Sequence, residues 1–332
     1  DNIQDQAGNN IINESGGTIT IGVAGNTVSF ASNVSFSSLT IAGNLSVDSG
    51  TIKLDGNYPT GTANVALGDT ALDSIQSGGN YNVAIGDHAG TAITTGDINI
   101  AIGSCALETS STASANIAIG SEALRNTTSG SSNTAIGKDA LEANSTGSDN
   151  VAIGKDSLTT NSTGSSNVGV GQNALHTNST ASNNTAVGNS ALFANQTGAS
   201  NVAIGANALD ANTTADNNVA IGLNALGANT TGANNIAIGQ GAMATATTES
   251  NCVAIGNSAA TVSAGGSNFV AIGREALVSQ TSGDDNVAIG LNAGANITSG
   301  SSNTFVGTSA ASQQTTASNN TAVGHSALNA NQ

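Results

Sequence analysis

Residues 133–149 read Asn-Thr-Ala-Ile-Gly-Lys-Asp-Ala-Leu-Glu-Ala-Asn-Ser-Thr-Gly-Ser-Asp, and residues 150–166 repeat the phrase as Asn-Val-Ala-Ile-Gly-Lys-Asp-Ser-Leu-Thr-Thr-Asn-Ser-Thr-Gly-Ser-Ser. In both directions from this stretch the glycine returns every 17 residues, at Gly86, Gly103, Gly120, Gly137, Gly154, Gly171, Gly188, Gly205, Gly222, Gly239, Gly256, Gly273, Gly290, Gly307 and Gly324. One more, Gly68, precedes them at a spacing of 18. Self-similarity at a fixed short period marks a solenoid, in which each repeat is one structural unit stacked on the next.

Numbering each repeat from its glycine as position 0 exposes the pattern. Position −4 is Asn in 14 of 16 copies, including Asn133, Asn150, Asn167, Asn184, Asn201 and Asn218; the exceptions are Cys252 and Phe269. Position −3 is Val, Ile or Thr, and position −1 is always Ile, Val or Leu. Position −2 is Ala except at Gly169 and Phe305, position +3 is Ala except at Ser157, and position +4 is Leu in 11 copies. Seventeen residues are too few for a helix-turn-helix repeat. Two β-branched residues around a small one suit a short strand, and the bracketing Gly and Asn suit turns. These features predict an all-β protein, a parallel β-solenoid of about 16 coils over residues 64–332. Each coil is a strand, a turn, a short extended or helical segment around Ala-Leu, and a second turn.

Coils stacked at ~4.8 Å would make a rod section roughly 75 Å long. Stacking also accounts for the composition. Charged residues make up only 8% of the chain, because like charges at strand spacing repel. Asn, Ser and Thr are abundant, because neutral polar groups can form hydrogen-bonded ladders. Lys138 and Lys155 share one column and Asp139 and Asp156 the next, so local charge compensation is expected. A period of two places −3 and −1 on one face, expected to be the core, closed by Leu at +4; Ala at −2 then faces outward. A coil this thin buries little surface alone. Association of three chains about a common axis is therefore expected, with Ala and Leu surface between them.

The tandem Asn-x-Ala-Ile/Val-Gly with a following Ala resembles the head repeats of trimeric autotransporter adhesins, which are parallel left-handed β-rolls wound as three chains about one axis. The same kind of repeat occurs in bacteriophage tail fibres. The resemblance covers residues 64–332, although 17 residues is longer than the usual adhesin-head repeat and no heptad stalk is present. The opening stretch, Asp1-Asn2-Ile3-Gln4-Asp5 and Asn9-Asn10-Ile11-Ile12-Asn13-Glu14-Ser15-Gly16-Gly17-Thr18-Ile19-Thr20-Ile21-Gly22, resembles segments of marine bacteriophage tail-fibre proteins. The resemblance implies a homotrimeric tail-fibre shaft or spacer of a virion, extracellular, partnered with itself, with other virion or fibre subunits and with a host surface glycan or protein. The alternative it implies is the passenger head of an adhesin on a bacterial cell surface.

Residues 1–63 differ from the array. Ile19/Ile21/Val23, Val28/Phe30, Val34/Phe36, Leu39/Ile41, Leu45/Val47 and Ile52/Leu54 alternate between turn signals and predict six short strands, an irregular prism or cap. Pro59 and the stretch 56–61 mark the boundary. The chain begins without Met and ends in mid-repeat, as expected of part of a longer protein or of an end covered by another subunit. It has no apolar run long enough to span a membrane.

Function classes narrow further. A net charge of −16 with only five Lys and Arg argues against nucleic-acid binding. Cys105 and Cys252 stand nine coils apart, roughly 43 Å, and His88, His176 and His325 hold three different repeat positions, so neither a disulfide nor a metal site is expected. No serine pairs with a base at a recognisable spacing, and no catalytic residue or cofactor is expected. Asn-x-Ser/Thr sequons such as Asn126, Asn144 and Asn161 follow from the turn composition. One column invites a binding role. Asn144, Asn161, Asn178, Asn195, Asn212 and Asn229 sit at +7, each two residues before Thr146, Thr163, Thr180, Thr197, Thr214 and Thr231. This Asn-x-Thr array reads either as a hydrogen-bonded turn ladder or as a flat surface for sugars or ice; an ice-binding solenoid is the third functional alternative.

Overall fold

The computed structural model describes Ile3–Gln4, Asn10–Ser15, Thr18–Ile21 and residues 62–263 and 265–329. The chain divides into two compact units, Asp1–Lys53 and Leu54–Gln332. In the first, β1 (Ile3–Gln4), β2 (Asn10–Ser15) and β3 (Thr18–Ile21) form an antiparallel sheet in that order. Ile12 pairs with Ile21 and Ser15 with Thr18. Of the alternating pairs expected in residues 1–63, Ile19/Ile21 falls in β3, and the others lie outside the described residues.

The second unit is an all-β parallel solenoid. Sixteen three-residue strands, β4 (Val65–Leu67) to β19 (Thr321–Val323), form one sheet in strict sequence order. Neighbours are parallel and in register: Val151 pairs with Val168, Ala152 with Gly169 and Ile153 with Val170. Hydrogen bonds between coils continue beyond the strands. The Leu158 N–H donates to the Ala174 carbonyl at 2.9 Å, and the Asp156 N–H to the Lys138 carbonyl at 3.0 Å. No helix occurs among the described residues. The Ala-Leu segment is instead a turn with two left-handed residues, as at Asp139 (φ 57°) and Leu141 (φ 53°).

The recurring glycine has a steric cause. Gly137 has φ 135°, and a Cβ placed on it would lie 2.6 Å from the Gly154 carbonyl oxygen in the next coil. The backbone of one coil thus rests on the glycine of the coil before, which excludes every side chain.

The core differs from the expectation by one residue. Position −2 faces inward and −3 and −1 face outward: Ala152 and Ala203 are fully buried, Val151 and Val202 are half-buried, and Ile153 and Ile204 are 38% and 40% exposed. Leu at +4 is buried as expected, and so is Ala at +3. The Ala and Leu surface is therefore inside the chain and cannot lie between chains. The reason is width. A coil of 17 residues already encloses Asn at −4, Ala at −2 and +3, and Leu at +4, which leaves room for a methyl group from the strand and not for Ile.

The exceptions in the repeat confirm how full this interior is. Ser157 replaces Ala at +3, and its Oγ donates to the Gly169 carbonyl at 3.1 Å. Gly169 replaces Ala at −2, where a Cβ would stand 2.6 Å from that same Oγ. Phe305 at −2 is accommodated by Gly294, which replaces Leu at +4; a Cβ there would lie 2.9 Å from the phenyl ring. Each enlarged residue is matched by a lost side chain next to it, as close packing requires.

Candidate functional surfaces

Among the described residues the outward strand face is the longest apolar feature. Ile, Val or Leu stands at −1 in all 16 coils and Val, Ile or Thr at −3, with no charged residue in either column. Sixteen strands at ~4.8 Å, each about 10 Å long, give a face of roughly 700 Å². The largest apolar patch on an ordinary monomer is about 300–600 Å², and a standard interface takes about 800 Å² from each partner.

Two asparagine ladders run through the interior. At −4, Asn150 Nδ2 donates to Asn133 Oδ1 at 3.1 Å and to the Gly164 carbonyl at 2.8 Å, while the Asn150 backbone N–H donates to Asn133 Oδ1 at 3.0 Å. The same bond from backbone N–H to the preceding Oδ1 recurs at Asn167, Asn184, Asn201 and Asn218. At +7, Asn161 Nδ2 donates to Asn144 Oδ1 at 2.9 Å and to the Gly164 carbonyl at 2.9 Å. Asn178, Asn195, Asn212 and Asn229 continue that chain at 2.8–3.0 Å.

The Asn-x-Thr array therefore divides. Asn144, Asn161, Asn178, Asn195, Asn212 and Asn229 are fully buried and form the turn ladder. Thr146, Thr163, Thr180, Thr197, Thr214 and Thr231 are exposed. The asparagines present nothing to a sugar or to ice, and Asn144 and Asn161 are closed to glycosylation; the surface column is threonine alone. Position +8 carries a further hydroxyl column, in which Ser145 Oγ donates to the Ser162 carbonyl at 2.8 Å.

Charged groups cluster on neighbouring coils. Lys138 and Lys155 pair with Asp139 and Asp156, each at 2.8 Å, so compensation is local, within a coil. Carboxylate oxygens of Glu122, Asp139 and Glu142 lie within 4.8 Å of one another, a group not singled out from the sequence although its +2, +2 and +5 positions were legible there. Burial pushes the Glu142 carboxyl up, aided by Asp139 and Glu122. Arg125 answers the cluster at 3.0 Å from Glu122 and 2.7 Å from Glu108. Cys105 and Cys252 are free thiols. Cys252 is buried, and burial holds its thiol at about 11, which leaves it unreactive at neutral pH. No helix among the described residues is long and apolar enough to cross a membrane.

No family model, no curated protein and no solved structure matches this chain.

Proposed function

We propose that this chain is the shaft of a homotrimeric fibre, a bacteriophage tail-fibre rod that spaces and presents a receptor-binding end. The observation that carries the proposal is the outward strand face. A double column of Ile, Val, Leu and Thr along 16 coils leaves an apolar face larger than an ordinary monomer exposes. Three chains arranged about an axis parallel to the rod cover that face in each of them, and a closed symmetry stops further growth. The assembly surface is thus Ile, Val and Leu at −1 with Val, Ile and Thr at −3. Stiffness follows from the continuous parallel sheet and the internal ladders, and a stiff, weakly charged rod suits a spacer.

Sedimentation of the whole chain at micromolar concentration tests the assembly. The expected mass is three times 31.9 kDa. Replacing Ile153, Val187 and Ile204 together by Asn should weaken the trimer at least tenfold while leaving each chain's own core untouched. A stable folded monomer of the unaltered chain would refute the reading. Detection of the chain in purified tailed particles, as against cell envelopes, tests its location.

A further inference from the structure

We propose that the solenoid interior holds one small monovalent cation, of sodium size, against the Glu249 carboxylate, in the stretch of the core that runs from Asn229 to Ser263. The +7 ladder stops at Asn229. Each asparagine in it passes its Nδ2 to the Oδ1 of the coil before, so each Oδ1 faces the coil after. In the coil after Asn229, position +7 is Ala246, which has no donor to offer. Asn229 Oδ1 is accordingly buried without a hydrogen-bond partner in the protein.

The coil of Ala246 also carries Glu249 at +10, where the other coils from Gly96 to Ala317 have Gly or Ala. Glu249 is 1% exposed. It folds back over its own turn, and its Oε2 accepts the N–H groups of Thr247 and Thr248 at 2.5 and 2.8 Å. Its Oε1 is buried with no partner in the protein. Ser263, at +7 of the following coil, is fully buried, and its Oγ likewise has none. Three consecutive coils, with Ala246 in the middle one, thus each bury an oxygen that meets no protein donor.

The set carries one negative charge and two neutral oxygens. A buried carboxylate without a counter-charge is among the costliest groups a protein can hold. Two backbone N–H groups offset one of its oxygens only. Arg125, Lys138, Lys155 and Arg274 all pair with other carboxylates. Carboxylate, carboxamide and hydroxyl oxygens are the ligands that hard cations take. A single carboxylate matches a single positive charge, and divalent calcium asks for about six oxygens or more. The other end of the ladder supplies the contrast. Ser110 and Thr127 occupy +7 there, also with buried hydroxyls lacking protein partners, but Ala113 and Gly130 stand at +10 and no charge needs balancing; water suffices for neutral hydroxyls.

The test uses the whole chain. Its thermal midpoint is measured in sodium chloride and in tetramethylammonium chloride at equal concentration, the latter cation being too large to enter. Sodium should raise the midpoint saturably, by about 3 °C or more. Glu249→Gln removes the charge, so its midpoint should be equal in both salts. The double variant Ala246→Asn with Glu249→Gly restores the repeat's own pattern, guards against misfit of the glutamine, and should lose the sodium response too. Equal midpoints for the unaltered chain in the two salts overturn the proposal, as does an unchanged sodium response in the double variant. A larger response to calcium chloride at equal ionic strength overturns the monovalent assignment. The readout is folding stability, so its failure leaves the fibre reading standing, and failure of the fibre reading leaves this one.

Discussion

The two asparagine columns are both buried, both laddered, and meet on the same atom: the Gly164 carbonyl accepts from Asn150 at −4 and from Asn161 at +7. Yet the −4 column is Asn in 14 of 16 coils, while the +7 column is Asn in seven and elsewhere becomes Ile, Ser, Thr, Ala or Gln. The difference lies in what the Oδ1 serves. At −4 it accepts a main-chain N–H of the next coil, as Asn150 Oδ1 does from Asn167 at 3.0 Å. At +7 it accepts only the next asparagine's Nδ2. The −4 side chain stands in for a missing carbonyl, and a buried main-chain donor has no other way to be satisfied. The +7 side chain satisfies polar atoms that its own column introduced. A coil can drop the second arrangement by dropping the polar residue; it cannot drop its own backbone.

Breaking the −4 ladder should therefore cost most. Asn150→Ala strands the Asn167 N–H, leaves Asn133 Oδ1 without the side-chain donor at 3.1 Å, and opens a cavity. Each buried unsatisfied group costs about 1–3 kcal/mol, so a loss of about 4 kcal/mol is expected in denaturant unfolding. A loss under about 1 kcal/mol would mean that the ladder ornaments the coil and does not close it.

Cys252 replaces Asn in this same ladder and gives the second measure. Its backbone N–H still donates to Asn235 Oδ1 at 3.0 Å, but its thiol, weakly solvated, ionises only near 11. In the unfolded chain a thiol ionises near about 8.5–9. Between these values the unfolded chain has released a proton that the folded one retains, so stability falls as pH rises from about 9 to 11. The loss attributable to Cys252 approaches about 3 kcal/mol at the upper end and is absent below pH 8. Unfolding of the native chain and of Cys252→Ala, followed across that range, should show the steeper decline in the native chain alone.

The array was legible from Gly86 to Gly324 because its determinants are local and steric: a glycine where the next coil's carbonyl leaves no room for a Cβ, and a β-branched triplet beside it. Leu at +4 was legible as core from its size. The inward face of the strand was not. Two β-branched residues against one Ala, as in Val151-Ala152-Ile153, favour burying the pair by hydrophobicity, and only the narrow cross-section of the coil reverses this. That cross-section rests on left-handed residues such as Leu141, a conformation L-residues disfavour and which no propensity would suggest for leucine. The Asn-x-Thr column was recognisable as a ladder, but its depth was not, since a buried Asn and an exposed one read alike. Glu249 did leave a signal, a carboxylate in a Gly/Ala column beside the one Ala in the +7 series.

The smallest effects come from within the +7 ladder and depend on position along it. Asn161, in its interior, donates to Asn144 Oδ1 and accepts from Asn178, so Asn161→Thr breaks two side-chain links, for about 1–2 kcal/mol. Asn144 stands at the end. Its Nδ2 has a single bond, 3.0 Å to the Gly147 carbonyl, and that carbonyl keeps the Asn133 donor at 2.9 Å when Asn144 is lost. The coil before it already carries Thr127 at the same position, fully buried. Asn144→Thr thus extends an existing hydroxyl stretch by one coil and leaves Asn161 as Asn144 now stands beside Thr127, with its turn bond alone, so one side-chain link is lost and not two. It should cost under about 1 kcal/mol and less than Asn161→Thr in the same denaturant series. Equal losses at the two positions would show that each asparagine is valued for its bond to its own turn, through the +10 carbonyl, and that the side-chain ladder adds nothing along the rod.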